Sequence, residues 1–400
     1  MKRFKTRLIT GGLILGALAA PALALADAPA ASTPAPTPAA TPTPVPWYNK
    51  VTVGGYVEEY YQQSFTQPSA LGFAPYARVF DNTSNQFSFG GGELTLKQGD
   101  TPSGTGYFVD LLLGPKATLY NGGTLGNDSV QIGQAYVTQT FGNATFTLGK
   151  FGTPIGYEVT YTPSNANFSR SLLFSQEPFF NTGLRLDYTL PAGFVVSGFA
   201  DNGNSLDNAA TSGKDYGAIV AYSGINNLSL TGIWYLNPTV SALPLGQEEN
   251  DWFNFQAAYT LNSSLSFDGE YLYHITLDPT ASSSTYTPWS PKEQGYALYA
   301  TYNTPVSNLS LSPRFEQWFA PDGFNTGSAL GTGGVLNALT AVTPSQVNEL
   351  TVTLKYVMGP LSHILEYRTD VDGATWGPVP VGSKVSTADQ TLTYAAIYSF

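Results

Sequence analysis

Seven runs of alternating apolar residues in this chain close on an aromatic side chain, at Phe141, Tyr188, Tyr222, Tyr259, Tyr302, Tyr356 and Tyr398, and a turn follows almost at once after all but the last. An aromatic belt at one membrane face, with tight reversals just outside it, produces this spacing in a transmembrane β-barrel. The last run makes the geometry plain. Leu392, Tyr394, Ala396, Tyr398 and Phe400 share one parity, and Thr391, Thr393, Ala395 and Ser399 share the other, with only Ile397 out of pattern. Successive strand side chains point to opposite faces, so one face is apolar and the other small and mostly polar.

The rest of the composition narrows the choice. Charged residues make up 11% of the chain, and after the first residues no apolar run approaches the roughly 20 residues of a spanning helix. In hydrocarbon every backbone amide must be paired, so a membrane protein without such helices must be a closed barrel. There is no cysteine, which removes disulfides, thiolate metal sites and thiol nucleophiles.

Residues 1–26 read as a secretory signal peptide. Lys2, Arg3, Lys5 and Arg7 precede the apolar stretch Leu8 to Ala20, and Ala24-Leu25-Ala26 offers a small-residue cleavage site. Its removal takes the formal charge from -11 to -15, which argues against nucleic acid or an anionic surface as partner. Residues 27–46 are almost wholly Ala, Pro and Thr, a linker that favours extended polyproline II and would reach roughly 60 Å into the periplasm. An inert spacer and a cell-wall contact both fit that composition. The barrel is expected over 47–400.

Period-2 runs predict sixteen strands, near 51–63, 86–98, 105–113, 130–141, 144–150, 182–190, 194–201, 215–223, 228–236, 251–261, 265–276, 295–303, 309–319, 346–357, 362–368 and 390–400. Their connections alternate in length. Short turns such as Gly142-Asn143 and Gly359-Pro360 face long loops such as 114–129, 151–181, 277–294, 320–345 and 369–389. Short periplasmic turns, long outer loops, an even strand number and both termini in the periplasm are the pattern of outer-membrane barrels. Trp234, Tyr273 and Phe319 fall near the upper strand ends and supply a second aromatic belt. A large soluble sandwich or propeller would alternate too, but without this asymmetry between its two ends.

Parity then sorts the charges. Leu350, Val352, Leu354 and Tyr356 should meet lipid while Glu349, Thr351, Thr353 and Lys355 face inward; likewise Leu184 and Leu186 face out, Arg185 and Asp187 in. The interior set is Glu93, Lys97, Asp110, Arg185, Asp187, Asp268, Glu270, Arg314, Glu316, Glu349, Lys355, Glu366 and Arg368. Lys or Arg on the lipid face at mid-membrane costs about 2–4 kcal/mol, so the sorting is energetically required. The first strand resists it, because Glu58 and Glu59 have opposite parities; a bulge there would resolve the conflict.

Sixteen strands leave room for a water-filled bore. The longest loop, 151–181, carries Glu158, Arg170 and Glu177 among Tyr157, Tyr161, Phe168, Phe174, Phe179 and Phe180, an aromatic load unsuited to free solvent. It is expected to fold inward and constrict the bore with these three charges; an external cap or subunit contact is the other reading.

Thr147-Leu148-Gly149-Lys150-Phe151-Gly152-Thr153-Pro154-Ile155-Gly156-Tyr157-Glu158, then Asn165 to Phe174 and Asn181-Thr182-Gly183-Leu184-Arg185, resemble the β-barrel porin family described as OmpL-like. The similarity runs roughly from Val51 to Phe400. It implies passive diffusion of small hydrophilic solutes through the bacterial outer membrane, no enzymatic activity and no catalytic residue. The loop after the fifth strand also resembles the inward loop of general trimeric porins, which implies a homotrimer, although their arginine cluster facing that loop has no counterpart here.

An enzyme would need a nucleophile, a base and an orienting group. The chain offers two histidines, His274 with inward parity beside Asp268 and Glu270, and His363 by a periplasmic turn, with no HExxH, GxSxG or phosphate-cradling glycine loop. The Gly90-Gly91-Gly92 run marks a bulge or a close approach of a loop. A plugged barrel whose outer loops bind a partner is a third reading. The expectation is a sixteen-stranded porin without cofactor or metal, weakly cation-preferring because eight acids face five bases in its interior set.

Overall fold

The computed structural model describes residues 50–66, 78–99, 104–120, 130–203, 205, 207–208, 213–237, 249–277, 291–319, 346–372 and 388–400. Sixteen strands account for most of them: β1 (Thr52–Ser64), β2 (Gln86–Gln98), β3 (Thr105–Leu113), β4 (Val130–Phe141), β5 (Ala144–Gly152), β6 (Phe180–Thr189), β7 (Phe194–Asp201), β8 (Asp215–Tyr222), β9 (Leu228–Asn237), β10 (Glu249–Thr260), β11 (Leu265–Leu277), β12 (Pro291–Asn303), β13 (Leu309–Phe319), β14 (Gln346–Met358), β15 (Leu361–Asp372) and β16 (Ala388–Ser399). Each pairs antiparallel with its chain neighbours, and β1 pairs with β16, from Tyr56 opposite Ser399 to Ser64 opposite Thr391. The sheet is therefore a closed barrel without an edge, and its ladders satisfy the strand backbone as a lipid environment demands.

Every expected strand is present, with ends displaced by at most four residues. Alternation carried this agreement, since a strand with one face on lipid and one on the lumen cannot slip register by one residue. The aromatic residues that close the downward strands are on the outer face, with Phe141 and Tyr398 among the most exposed. Residues 1–49, which include the segments read from sequence as signal peptide and linker, and the parts of the long loops at 67–77, 121–129, 278–290, 320–345 and 373–387 lie outside the described residues.

Irregularities fall where the sequence permits them. Glu58 pairs with Gly91 and Glu59 with Phe89, so Gly90 is an extra residue in β2. The bulge sits on the partner strand, not on β1 as expected. β1 keeps strict alternation, with Glu58 buried inside and Glu59 exposed on the outer face. Gly133 is a second extra residue, between Gln134 opposite Asp110 and Ile132 opposite Leu111. Pro313 stands within β13, where a missing N–H interrupts the ladder; pairing with β12 skips from Tyr299–Arg314 to Tyr302–Leu311.

The bore contains chain. The segment 151–179 turns inward, joined by the stretch from Arg78 to Ser84 and by the short helix α1 (Pro115–Tyr120), which the sequence did not announce. Three apolar clusters tie them to the wall. Ile155, Leu172 and Leu173 pack against Phe199, Ile219, Ile233, Tyr235, Trp252, Leu272, Tyr299, Trp318 and Val347, on strands β7 to β14. Phe168 packs with Tyr56, Tyr60, Ile364, Ala395 and Ile397 on β1, β15 and β16. Phe174 and Phe179 join Val79, Phe80, Leu112, Ala117, Tyr120 and Phe180 on the remaining side. Full burial stabilises each large apolar side chain by about 1.5–3 kcal/mol, which favours the inward position over an external cap.

Candidate functional site

The inserted loop offers backbone N–H groups to the wall, and wall carboxylates accept them. Glu316 accepts from Leu172 at 2.8 Å, Glu366 from Phe168 at 2.7 Å and Ser169 at 3.0 Å, and Glu270 from Tyr157 at 3.0 Å. Within the loop Glu158 accepts from Ser171 at 2.6 Å. Asn167 donates to the Ser312 carbonyl at 2.9 Å and to Thr353 at 2.7 Å. An irregular segment inside a barrel has no ladder of its own, so side-chain carboxyl oxygens take that role and satisfy its backbone donors.

Arg314 is the hub. Its guanidinium donates to Glu158 at 2.8 Å, to the Ser169 carbonyl at 2.7 Å and to both carboxylate oxygens of Glu349 at 3.1 and 3.2 Å, and it is 0% exposed. Arg368 extends the network to Asp370 at 2.8 Å and to the Arg170 carbonyl at 2.5 Å. Asp370 in turn pairs with Arg78 at 3.3 Å, and Arg78 also pairs with Asp81.

Glu158, Arg170 and Glu177, expected to line a wet constriction, are inside the barrel but only 4%, 1% and 1% exposed. Arg170 donates within its own loop, to the carbonyls of Val159, Thr160 and Phe168 at 2.8–2.9 Å. Glu177 bonds to Glu270, and burial, then the nearby Glu270 charge, pushes its carboxyl well above the usual carboxylate range. The same carboxylate occupies the space where a side chain on Gly156 would begin, and Gly156 has φ +96°, so glycine is required there twice over.

The wall residues divide by height. All thirteen face inward, as parity requires, but Glu93, Asp110, Glu270, Arg314, Glu316, Glu349, Glu366 and Arg368 are covered by the inserted segments. Lys97, Asp187, Asp268 and Lys355, near the short turns, stay exposed or half-exposed. Arg185 is 9% exposed and bonds to Asp187 at 2.7 Å. These, with the partly exposed Phe108, Tyr136, Tyr157 and Tyr161, keep some exposure on the turn side of the loop. Tyr157 packs on Tyr299 at 4.8 Å and Tyr161 on Tyr56 at 4.9 Å between ring centres.

A further set escaped the sequence. Lys116 on α1 reaches Glu58 at 3.0 Å, Thr162 at 2.7 Å and the Tyr56 hydroxyl; burial holds its ammonium pKa below the ordinary lysine value. The glycine run was the available signal. A side chain at Gly90 would meet Glu58 at 2.7 Å and one at Gly91 would meet Lys116 at 3.1 Å, so the run is both bulge and close approach. His274 faces inward but stacks on Trp252 at 4.3 Å and lies 3.5 Å from Glu293. His363 meets the Tyr394 hydroxyl at 2.8 Å, near a short turn. Among the described residues no three His, Cys, Asp or Glu side chains are placed to hold a metal ion.

A closed sixteen-stranded wall, apolar outside and charged inside, with the loop after β5 seated in the lumen, is the architecture of a bacterial outer-membrane porin. The chain belongs to the family described as "Putative beta-barrel porin-2, OmpL-like", whose model matches residues 50–400. No curated protein matches it. Among solved structures it is similar to the outer membrane channel DcaP of Acinetobacter baumannii, at 15% identity over 88% of this chain and 97% of that one, with a TM-score of 0.56. It is likewise similar to an anion-selective porin from Comamonas acidovorans, at 11% identity over 88% and 99%, TM-score 0.53. OmpF of Salmonella typhi, in complex with daunomycin, matches at 12% identity over 88% and 97%, TM-score 0.57. At these identities the likeness is one of fold.

Proposed function

We propose that the protein is a non-enzymatic channel for passive diffusion of small hydrophilic solutes and ions, with a weak preference for cations, and that 151–181 sets its narrowest part. The observation that carries the reading is the seating of that loop on wall carboxylates, with Lys97, Asp187, Asp268 and Lys355 left wet beneath it. The cation preference rests on the charge balance of the inward set read from sequence, eight acids against five bases, whose field reaches the bore although most of those groups anchor the loop. Fixed wall charge, not the barrel, sets the sign of selectivity, so an anion-selective relative of the same fold does not oppose it.

Reconstitution in a planar bilayer under a salt gradient tests the reading. Steady conductance with a reversal potential of cation-selective sign is expected; a potential of the opposite sign would remove the preference. A plugged binding barrel is the second reading, favoured by the full burial of Arg314, Glu316, Glu349 and Arg368, and well-folded protein that never conducts would support it. The same proposal includes export with loss of residues 1–26, a periplasmic contact through 27–46 and assembly as a homotrimer, which light scattering of the detergent-solubilised protein would size.

A further inference from the structure

Side-chain amides cluster on the outer wall near the upper ends of β12 to β14. Along the outward face of β14 the order from the lower belt is Tyr356, Leu354, Val352, Leu350, then Asn348 and Gln346. Ten residues separate Tyr356 from Gln346. At about 3.3 Å per residue and a tilt near 40° that is roughly 25 Å of height, the full depth of the apolar band. The amides therefore stand at the boundary between acyl chains and headgroups on the extracellular side.

They form a groove with their neighbours. Gln294 and Tyr296 on β12, Gln317 and Phe319 on β13, Gln346 on β14 and Tyr271 on β11 line one concavity, floored by Gly295. Register puts Gln317 between Tyr296 and Asn348, and Phe319 between Gln294 and Gln346. Gln317 donates to Asn348 at 2.8 Å and the Tyr271 hydroxyl to Gln294 at 3.0 Å. These bonds use one end of each amide. In the lining, the Gln294 amide nitrogen and the Gln317 carbonyl keep hydrogen-bonding capacity, and Asn348 holds the Gln317 amide from the side. An amide left without a partner in an apolar setting costs on the order of 1–3 kcal/mol, so at this boundary these groups favour a headgroup that can bond to them.

We infer that this groove binds the sugar headgroup of an outer-leaflet glycolipid. The lining is uncharged, with amide donors and acceptors beside aromatic rings. That chemistry suits hydroxyls and the apolar faces of sugar rings, whereas a phosphate would call for Arg or Lys. The groove opens to the lipid side of the wall, where outer-leaflet lipids, not solutes in the bore, reach it.

Binding of fluorescent lipopolysaccharide to the intact protein in micelles provides the test, with the deacylated saccharide and phosphatidylglycerol as further probes. The wild-type chain is expected to bind lipopolysaccharide, to bind the deacylated saccharide more weakly, and to show no preference for phosphatidylglycerol. Gln317→Leu with Asn348→Leu is expected to lower lipopolysaccharide affinity at least about tenfold, since each charge-free hydrogen bond carries about 1 kcal/mol and the ring contacts are loosened with them. Apolar replacements on the lipid face should leave the barrel folded, as heat-modifiable gel migration would report; should the pair fail to fold, Gln317→Leu alone is expected to lose about fivefold. Unchanged affinity in a folded variant overturns the inference. So does an equal loss for phosphatidylglycerol, which would mean ordinary annular lipid.

Discussion

The inward charges of β13 to β15 and those beside the short turns share a parity and have opposite surroundings. Arg314, Glu316, Glu349, Glu366 and Arg368 are sealed beneath the inserted loop; all but Glu349 bond to it directly, and Glu349 holds the two arginines that do. Lys97 is exposed, and Asp187, Asp268 and Lys355 remain partly exposed. The first group can anchor chain; the second can meet ions. A charge count over the whole interior merges two roles that height separates.

The largest expected break in that contrast comes from the hub. Arg314→Ala leaves Glu158 buried without its cation and Glu349 with Arg368 alone, 3.6 Å away, and should destabilise the protein by about 3–5 kcal/mol, read as a lowered unfolding midpoint in micelles. Lys355→Ala, an inward basic change on the wet side, should move the midpoint little. Gly156→Ala is expected next: its φ of +96° and the adjacent Glu177 carboxylate allow no methyl group, so the loop should shift at a cost of about 1–3 kcal/mol and conductance should change with it.

A pH effect follows from Glu177. Its carboxyl is raised by burial, so the fold favours the neutral form. That stabilisation is fully present below the ordinary carboxylate pKa and is lost as pH rises through the raised one. Seating of the loop should weaken toward higher pH, visible as a pH-dependent midpoint or conductance, and Glu177→Gln should flatten the dependence. The smallest effect belongs to the wet side. Asp268→Asn should move the reversal potential slightly toward zero and leave the unfolding midpoint unchanged.

Strand number, closure and face were legible because each side of a barrel strand meets a single solvent, and period 2 writes that directly into sequence. Val352 and Thr353 are assigned by parity alone. Height was not legible. Nothing in the order of residues says that Glu316 lies under Leu172 while Asp268 does not, since that depends on the path of an irregular loop across the bore. The loop's inward turn was readable from aromatics such as Phe168, Phe174 and Phe179, which need cover. Its charges were read as facing water because Glu and Arg usually do; Glu158 is instead satisfied by the Ser171 N–H and the distant Arg314 guanidinium, and Arg170 by carbonyls of its own loop. Lys116 left no periodic trace, and only the glycines opposite it recorded the approach.

The central claim is that 151–181 lies against the inner wall, and the absence of native cysteine permits a direct test. Asn167 donates to Thr353 across that contact at 2.7 Å. In a chain carrying Asn167→Cys and Thr353→Cys, a short bis-methanethiosulfonate, which forms a disulfide with each thiol and releases sulfinate, should join the two positions in folded, membrane-inserted protein, detected by mass spectrometry of the linked peptides. Linked peptides in high yield are the expected result; free thiols at both positions, in protein that still shows barrel-like heat-modifiable migration, would contradict it.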